Sequence, residues 1–204
     1  MSAHKFSLGV AKHLVDSTGI YFSSTPVYVL FENAIVGMSD DVSLNARLTS
    51  GALTYAGLGF AIAKGRELSQ NLFHIDEDSS NTRKVVHDAG YLLTFTAVLT
   101  PAIYAYSGAS LEDNITGTLI AMGLAIPIGP IIGYGIETYE DFTGLKHSKG
   151  LPTFLTQRSQ STKWSIALGG IAASVGLTAL IYSLTPDNKE EKRTTDITTV
   201  VENP

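Results

Sequence analysis

Only 16% of the 204 residues are charged and the mean hydropathy is +0.16, whereas an ordinary soluble domain is roughly one quarter charged. The balance is that of a chain built for lipid. A net charge of −5 leaves no basic excess to hold nucleic acid, and the lack of cysteine excludes disulfides, thiolate metal sites and thiol catalysis.

Crossing about 30 Å of hydrocarbon takes roughly 20 mostly apolar residues of helix. The sequence predicts an all-α membrane protein with five such runs, at 15–36, 44–63, 86–107, 115–136 and 164–184. Residues 1–14 then form an N-terminal segment. Residues 15–145 form a four-helix core of two hairpins, 146–163 a loop and 164–184 a fifth transmembrane helix. Residues 185–204 read as a disordered polar tail. The first run is too long and too rich in Ser and Thr for a signal peptide, and no small-residue cleavage pattern follows it.

Asp16 opens the first run and Pro26 lies near its middle. Glu32 stands at its outer margin, ahead of the turn Gly37-Met38-Ser39. Arg47 begins the second run. Across so short a turn the two charges face each other, and an ion pair neutralises both beside lipid. The pair is an outer gate or a static clamp. The second run is rich in small residues, including Gly51, Ala56, Gly57 and Gly59, which permits close helix approach. Spans two and four are therefore expected at the centre or at a subunit interface.

Asp88 opens the third run, Pro101 lies in its outer half, and Gly108-Ala109-Ser110 closes it. That order repeats the first hairpin, so a duplication is expected. The fourth run carries Pro127 and Pro130 with the pair Gly129 and Gly133, and Glu137 follows it. Proline removes a helix hydrogen bond and frees a carbonyl, which in lipid needs protein or water nearby. Broken backbone is expected near Pro26 and Pro101. The fifth run has Gly169, Gly170 and Gly176 but no charge, and reads as an appended packing helix.

Ten of the 14 Lys and Arg residues fall in the N-terminal segment, in 64–84 and in 146–163. The turns at 37–43 and 108–114 hold none. By the positive-inside rule the N-terminus is cytoplasmic and both turns lie outside. Five spans put the tail outside, although it carries Lys189, Lys192 and Arg193. Asp16 and Asp88 then lie at inner ends, with His13, His87, Lys84 and Arg66 close in sequence. A carboxylate beside histidine can carry protons or meet an ammonium group. There is no nucleophile motif, phosphate loop or HExxH, so neither an enzyme nor a metal nor a cofactor is expected. Two classes remain, a transporter and a non-transporting scaffold or accessory subunit.

The block Glu32, Gly37-Met38-Ser39, Ser43, Arg47-Leu48 resembles the small bacterial L-alanine exporter (AlaE-like) family. Further likenesses are Asp16-Ser17, Arg66-Glu67, Asp88 with Pro101, and Tyr134-Gly135 followed by Glu137, Glu140 and Asp141. The likeness covers about residues 12–145. It departs at Ala61-Ile62-Ala63, where the family has Pro-Tyr-Gly, in the longer Asp88–Pro101 spacing and in the fifth span. The resemblance implies an inner-membrane exporter of a small neutral amino acid, driven by the proton gradient. Asp16 and Asp88 are then expected to take the ammonium or a coupled proton, and backbone near Pro26 and Pro101 the carboxylate. Four helices hardly enclose a pathway alone, so a homo-oligomer is expected.

Overall fold

The computed structural model describes residues 3–76, 79–148 and 151–185. The expected tail lies outside them beyond Thr185. Among the described residues all regular structure is helical. Helix α1, Ala3–Phe31, runs on into a wider π-helical turn, Glu32–Val36. Helices α2, Asp40–Leu53, and α3, Gly59–Leu72, form one rod interrupted by a second π-turn, Thr54–Leu58. Then come α4, Asn81–Tyr106, α5, Leu111–Thr143, the single turn α6, Thr153–Thr156, and α7, Gln160–Leu184.

Each expected span falls on one of these long helical stretches, the third ending one residue past α4, but elsewhere the helices outrun the apolar runs. α1 begins at Ala3 instead of near 15, so most of the expected N-terminal segment is helix, and α5 continues to Thr143. Apolarity ends where the hydrocarbon would end, whereas helix continues while its polar ends find partners. Lys12 and Asp16 are such a pair, one turn apart at 2.6 Å. The two Gly-x-Ser turns stop one helix and start the next. Gly37 and Gly108 take φ of 74° and 87°, and the Ser110 hydroxyl accepts the Asp113 N–H at 3.1 Å. Met38, Ala46 and Tyr104 pack together with Val42 and Ala109, which brings both hairpin turns to one end.

The centre is only partly where glycine content put it. α1 packs against α5, α7 and the α2–α3 rod, and α5 packs against α1, α4 and α7. Of the two runs expected at the centre, the fourth, in α5, lies there, and its companion is α1 rather than the α2–α3 rod. The closest approach is at Gly19 and Gly135, where a Cβ on either would come within 2.9 Å of backbone on the other helix. A Cβ on Gly129 would meet only Leu92, at 3.7 Å, and one on Gly133 nothing within 4 Å. The literal GxxxG is not the packing face.

Proline does not break α1 or α4, both of which run through it. Pro26 cannot donate to the Phe22 carbonyl one turn earlier. Ser174 of α7 donates to that carbonyl instead, at 2.7 Å. The Pro101 carbonyl accepts from the Asn114 amide at 3.0 Å. The breaks fall elsewhere. Gly57 leaves helical geometry with φ 128°, a value open to glycine and strained for other residues. α5 bends by 48° between Leu111–Gly129 and Ile131–Thr143, at Pro130. Nor is α7 a mere appendage, because it completes the hydrogen bonding of α1.

The distribution of polarity is inverted relative to a water-soluble bundle. Val98, Leu119 and Leu168 are at least 60% exposed, whereas Ser17, Ser43 and Glu32 are at most 1% exposed. By length and composition, Thr82–Tyr106 and Gln160–Leu184 can cross a membrane, and the bent α5 is a third span if taken whole. α1 and the α2–α3 rod fall short of that apolarity. They carry the polar residues turned inward, among them Asp16, Thr25, Glu32, Ser43 and Arg47.

Ser174→Ala should leave the Phe22 carbonyl without a donor and cost about 0.5–2 kcal/mol. Pro26→Ala restores an N–H within α1, so Ser174→Ala in that background should cost measurably less. Denaturant unfolding in detergent micelles of the four proteins of this cycle reads the coupling.

Candidate functional site

The charged pair at the turn end is the best-connected group in the fold. The π-turn places Glu32 inside, 1% exposed. Its Oε1 meets Arg47 Nη2 at 2.5 Å and accepts the Tyr104 hydroxyl at 2.9 Å. Its Oε2 accepts Ser43 Oγ at 2.7 Å. Ser43 has then given its one hydrogen, so Tyr182 O–H donates to Ser43 Oγ, at 3.1 Å. The Arg47 guanidinium lies 4.7 Å from the centre of the Tyr28 ring. Residues of α1 and its π-turn, α2, α4 and α7 thus converge on one carboxylate. The expected ion pair is present, and the structure adds Tyr104, Tyr28 and Tyr182, which sequence spacing did not single out.

Beside this pair lies a cavity of about 120 Å³. α1, the α2–α3 rod, α4 and Ile132 of α5 bound it. Hydroxyls of Tyr21, Ser24, Thr25, Ser50, Thr54 and Thr96 share the lining with apolar side chains such as Ile20, Leu92 and Phe95. Arg47 lines it too, and its Nε is buried without a hydrogen-bond partner. The volume is well below the roughly 300–1,000 Å³ of pockets for drug-sized ligands, and suits a few waters or one small solute.

A second cluster sits at the opposite end of α1. Lys12 Nζ donates to Asp16 at 2.6 Å and to Glu140 of α5 at 2.5 Å, with Lys146 3.9 Å from Glu140. Burial opposes the Lys12 charge, but the bonds to Asp16 and Glu140 outweigh it and hold its pKa above the ordinary value. His13 Nε2 donates to the Tyr55 carbonyl at 2.9 Å, and Ser17 Oγ to the Thr54 carbonyl at 3.2 Å. Both carbonyls belong to the π-turn at Gly57, where the regular bonding of the rod is disturbed. His13 Nδ1 and Asp16 Oδ1 are buried without partners.

Asp88 has a different setting. Arg66 grips it with two prongs, Nε to Oδ1 at 2.9 Å and Nη2 to Oδ2, with His87 Nδ1 at 3.0 Å. Asp16 and Asp88 are therefore held by separate cations, and neither lines the cavity. The carbonyl freed by Pro26 is occupied by Ser174, so backbone at Pro26 offers a solute nothing. A carbonyl, moreover, accepts and cannot hold a carboxylate. Glu137 accepts Ser148 Oγ at 2.7 Å, and Asp141 binds Lys163 at 2.6 Å and the Ser148 N–H at 3.0 Å. These contacts fasten the α5–α7 connection. The π-turn at Gly57 was hidden in a run of small residues that reads as packing surface.

No family model matches the sequence, and neither a curated protein nor a solved structure is significantly similar to it.

Removing one member of the buried pair strands the other. Glu32→Ala should destabilise the protein by about 3–5 kcal/mol, as should Arg47→Ala. The charge-free double variant Glu32→Gln with Arg47→Gln should melt above either single variant. Melting temperatures of the purified proteins in one detergent provide the comparison.

Proposed function

We propose that the protein is a secondary transporter that exports a small neutral amino acid, such as L-alanine, across the cytoplasmic membrane and is driven by the proton gradient. One observation carries the reading: a small, partly open cavity bears several hydroxyls on an otherwise apolar wall, among helices whose outer faces are apolar and beside an ion pair that already balances itself. The volume limits the solute to a few heavy atoms. A net charge brought there would lack a counter-charge in a low-dielectric interior. A zwitterion brings equal and opposite charges, so it fits where an anion or a cation does not. A scaffold needs no such cavity.

In this reading α1, the α2–α3 rod, α4, α5 and α7 each cross the bilayer, with the N-terminus cytoplasmic. The polar faces of α1 and the rod are hidden inside, so lipid meets only their apolar sides. The π-turn borders the cavity through Thr54 and Leu58, and a break of this kind is the element expected to rearrange between inward and outward states. The proton enters at the other face of that break. Asp16 is the acceptor there, facing Lys12 and Glu140, with its Oδ1 buried and unpartnered. Protonation of this cluster would alter the hold of α1 on the π-turn. A second copy of the chain completes the wall of the pathway. The likeness of residues 32–48 to the L-alanine exporters supports the same substrate class.

Liposomes containing the purified protein and loaded with labelled L-alanine, glycine or serine should release these faster than empty liposomes under an inward proton gradient. Labelled glutamate and lysine should stay inside. Asp16→Asn should reduce the acceleration by the gradient at least about tenfold, the size of effect expected when one proton-linked group is removed. Identical release of all three neutral amino acids from protein-containing and empty liposomes would remove the transport reading.

A further inference from the structure

We infer that Arg47 recognises the carboxylate of the solute through its Nε–H, while the hydroxyl wall of the same cavity receives the ammonium. This rests on the transport reading and assigns the chemistry of its site. It follows from tracing where each polar hydrogen goes.

A hydroxyl has one hydrogen to give and two lone pairs to offer. On the α1 and α2 side of the cavity the hydrogens are committed to helix backbone. Ser24 donates to the Ile20 carbonyl at 2.7 Å, Thr25 to Tyr21 at 2.6 Å, Ser50 to Ala46 at 2.7 Å and Thr54 to Ser50 at 2.7 Å. The Tyr21 hydroxyl donates to the Arg47 carbonyl at 3.2 Å. What these five groups turn to a solute is lone pairs. An ammonium, with three hydrogens and no acceptor, matches such a wall.

The opposite requirement arises at Arg47. The residue is 8% exposed, and its Nη2 is engaged by Glu32. Its Nε has no open surface and no partner, and a buried donor left unbonded is costly, so a small shift of the side chain toward the cavity that Arg47 lines would gain a bond. The Tyr28 ring beside the guanidinium restrains its plane. A carboxylate oxygen on Nε satisfies this donor and balances the charge that the ammonium brings. Alcohols and sugars present no full charges to either end. A lone carboxylic acid leaves the acceptor wall empty, and a lone amine places a cation beside Arg47. Leu92, Phe95 and Ile103 of α4 line the same cavity and offer a short side chain apolar contact. The selected class is a small α-amino acid zwitterion.

Titration calorimetry on the purified full-length protein in detergent tests this without a membrane. L-Alanine should bind. L-Alaninol and L-alaninamide, which lack the carboxylate, should bind about tenfold more weakly or worse, as should propionate, which lacks the ammonium; a charge-assisted hydrogen bond is of that size. Arg47→Lys keeps a cation for Glu32 but loses the planar fork. It should retain the helical circular dichroism spectrum while its alanine affinity falls to the alaninol level. Thr96→Leu, which fills the cavity from α4, should abolish binding with helicity intact. Equal affinity for alanine and alaninol overturns the inference, as does a folded Arg47→Lys protein that binds alanine unchanged. Should Arg47→Lys fail to fold, the ligand series on the unmodified protein decides alone. Carboxylate-dependent binding without liposome flux would leave this inference standing and remove transport. Flux that ignores both the carboxylate and Arg47→Lys would do the reverse.

Discussion

A carboxylate buried beneath the hairpin turns constrains the rest of this structure. Glu32 cannot stay charged in that position unless its lone pairs are met, and the groups that meet them come from α2, α4 and, through Ser43, α7. In lipid, apolar surface gives helices no reason to prefer one another, because the tails are as apolar as leucine. Association must come from polar contact and close packing. Here the polar contact lies at one end of the bundle, and the close packing lies along α1 and α5 at Gly19 and Gly135. The two together explain why α1, one of the less apolar helices, is central and not peripheral.

The same constraint governs the backbone. A carbonyl that loses its helix partner in an apolar interior has to find another donor. At Pro26 the donor to the orphaned carbonyl is Ser174, which makes α7 an integral part of the fold. At the π-turn near Gly57, Ser17 adds a donor to the Thr54 carbonyl, which also accepts the Gly59 N–H, and His13 donates to the Tyr55 carbonyl. These bonds tie α1 to the break in the rod, and the second ring nitrogen of His13 is buried and unpartnered.

How much of this was legible depended on whether the cause was local. Hydropathy over 20-residue windows located the five long helical stretches, and the short Gly-x-Ser turn placed Glu32 opposite Arg47. The helix ends were not legible, because the polar ends of α1 and α5 are held beyond the apolar runs by the long-range contact of Lys12 with Glu140. The centre of the bundle was hidden because glycines look alike in sequence. Gly135 touches a neighbouring backbone and Gly133 touches nothing. Asp16 and Asp88 open equivalent arms and so invited a common role. Lys12 and His87 are near neighbours in sequence, but Glu140 behind Lys12 in one case and Arg66 in the other come from contacts that no local repeat encodes. Tyr104 and Tyr182 approach Glu32 from α4 and α7, and no spacing rule reaches so far.

The cavity is consistent with this view of compensated charge. The Glu32–Arg47 and Asp88–Arg66 pairs each balance their own charge. On the transport reading, a solute in the cavity beside Arg47 is selected by the arrangement of its donors and acceptors and not by its total charge. An uncompensated arginine would hold any anion tightly and release it slowly. In that reading an arginine already neutralised by Glu32 offers the solute only its directional N–H, which lowers the depth of the well. Passage across a membrane requires a site that recognises without trapping. A guanidinium shared between a resident carboxylate and a visiting one would meet that requirement through its planar geometry.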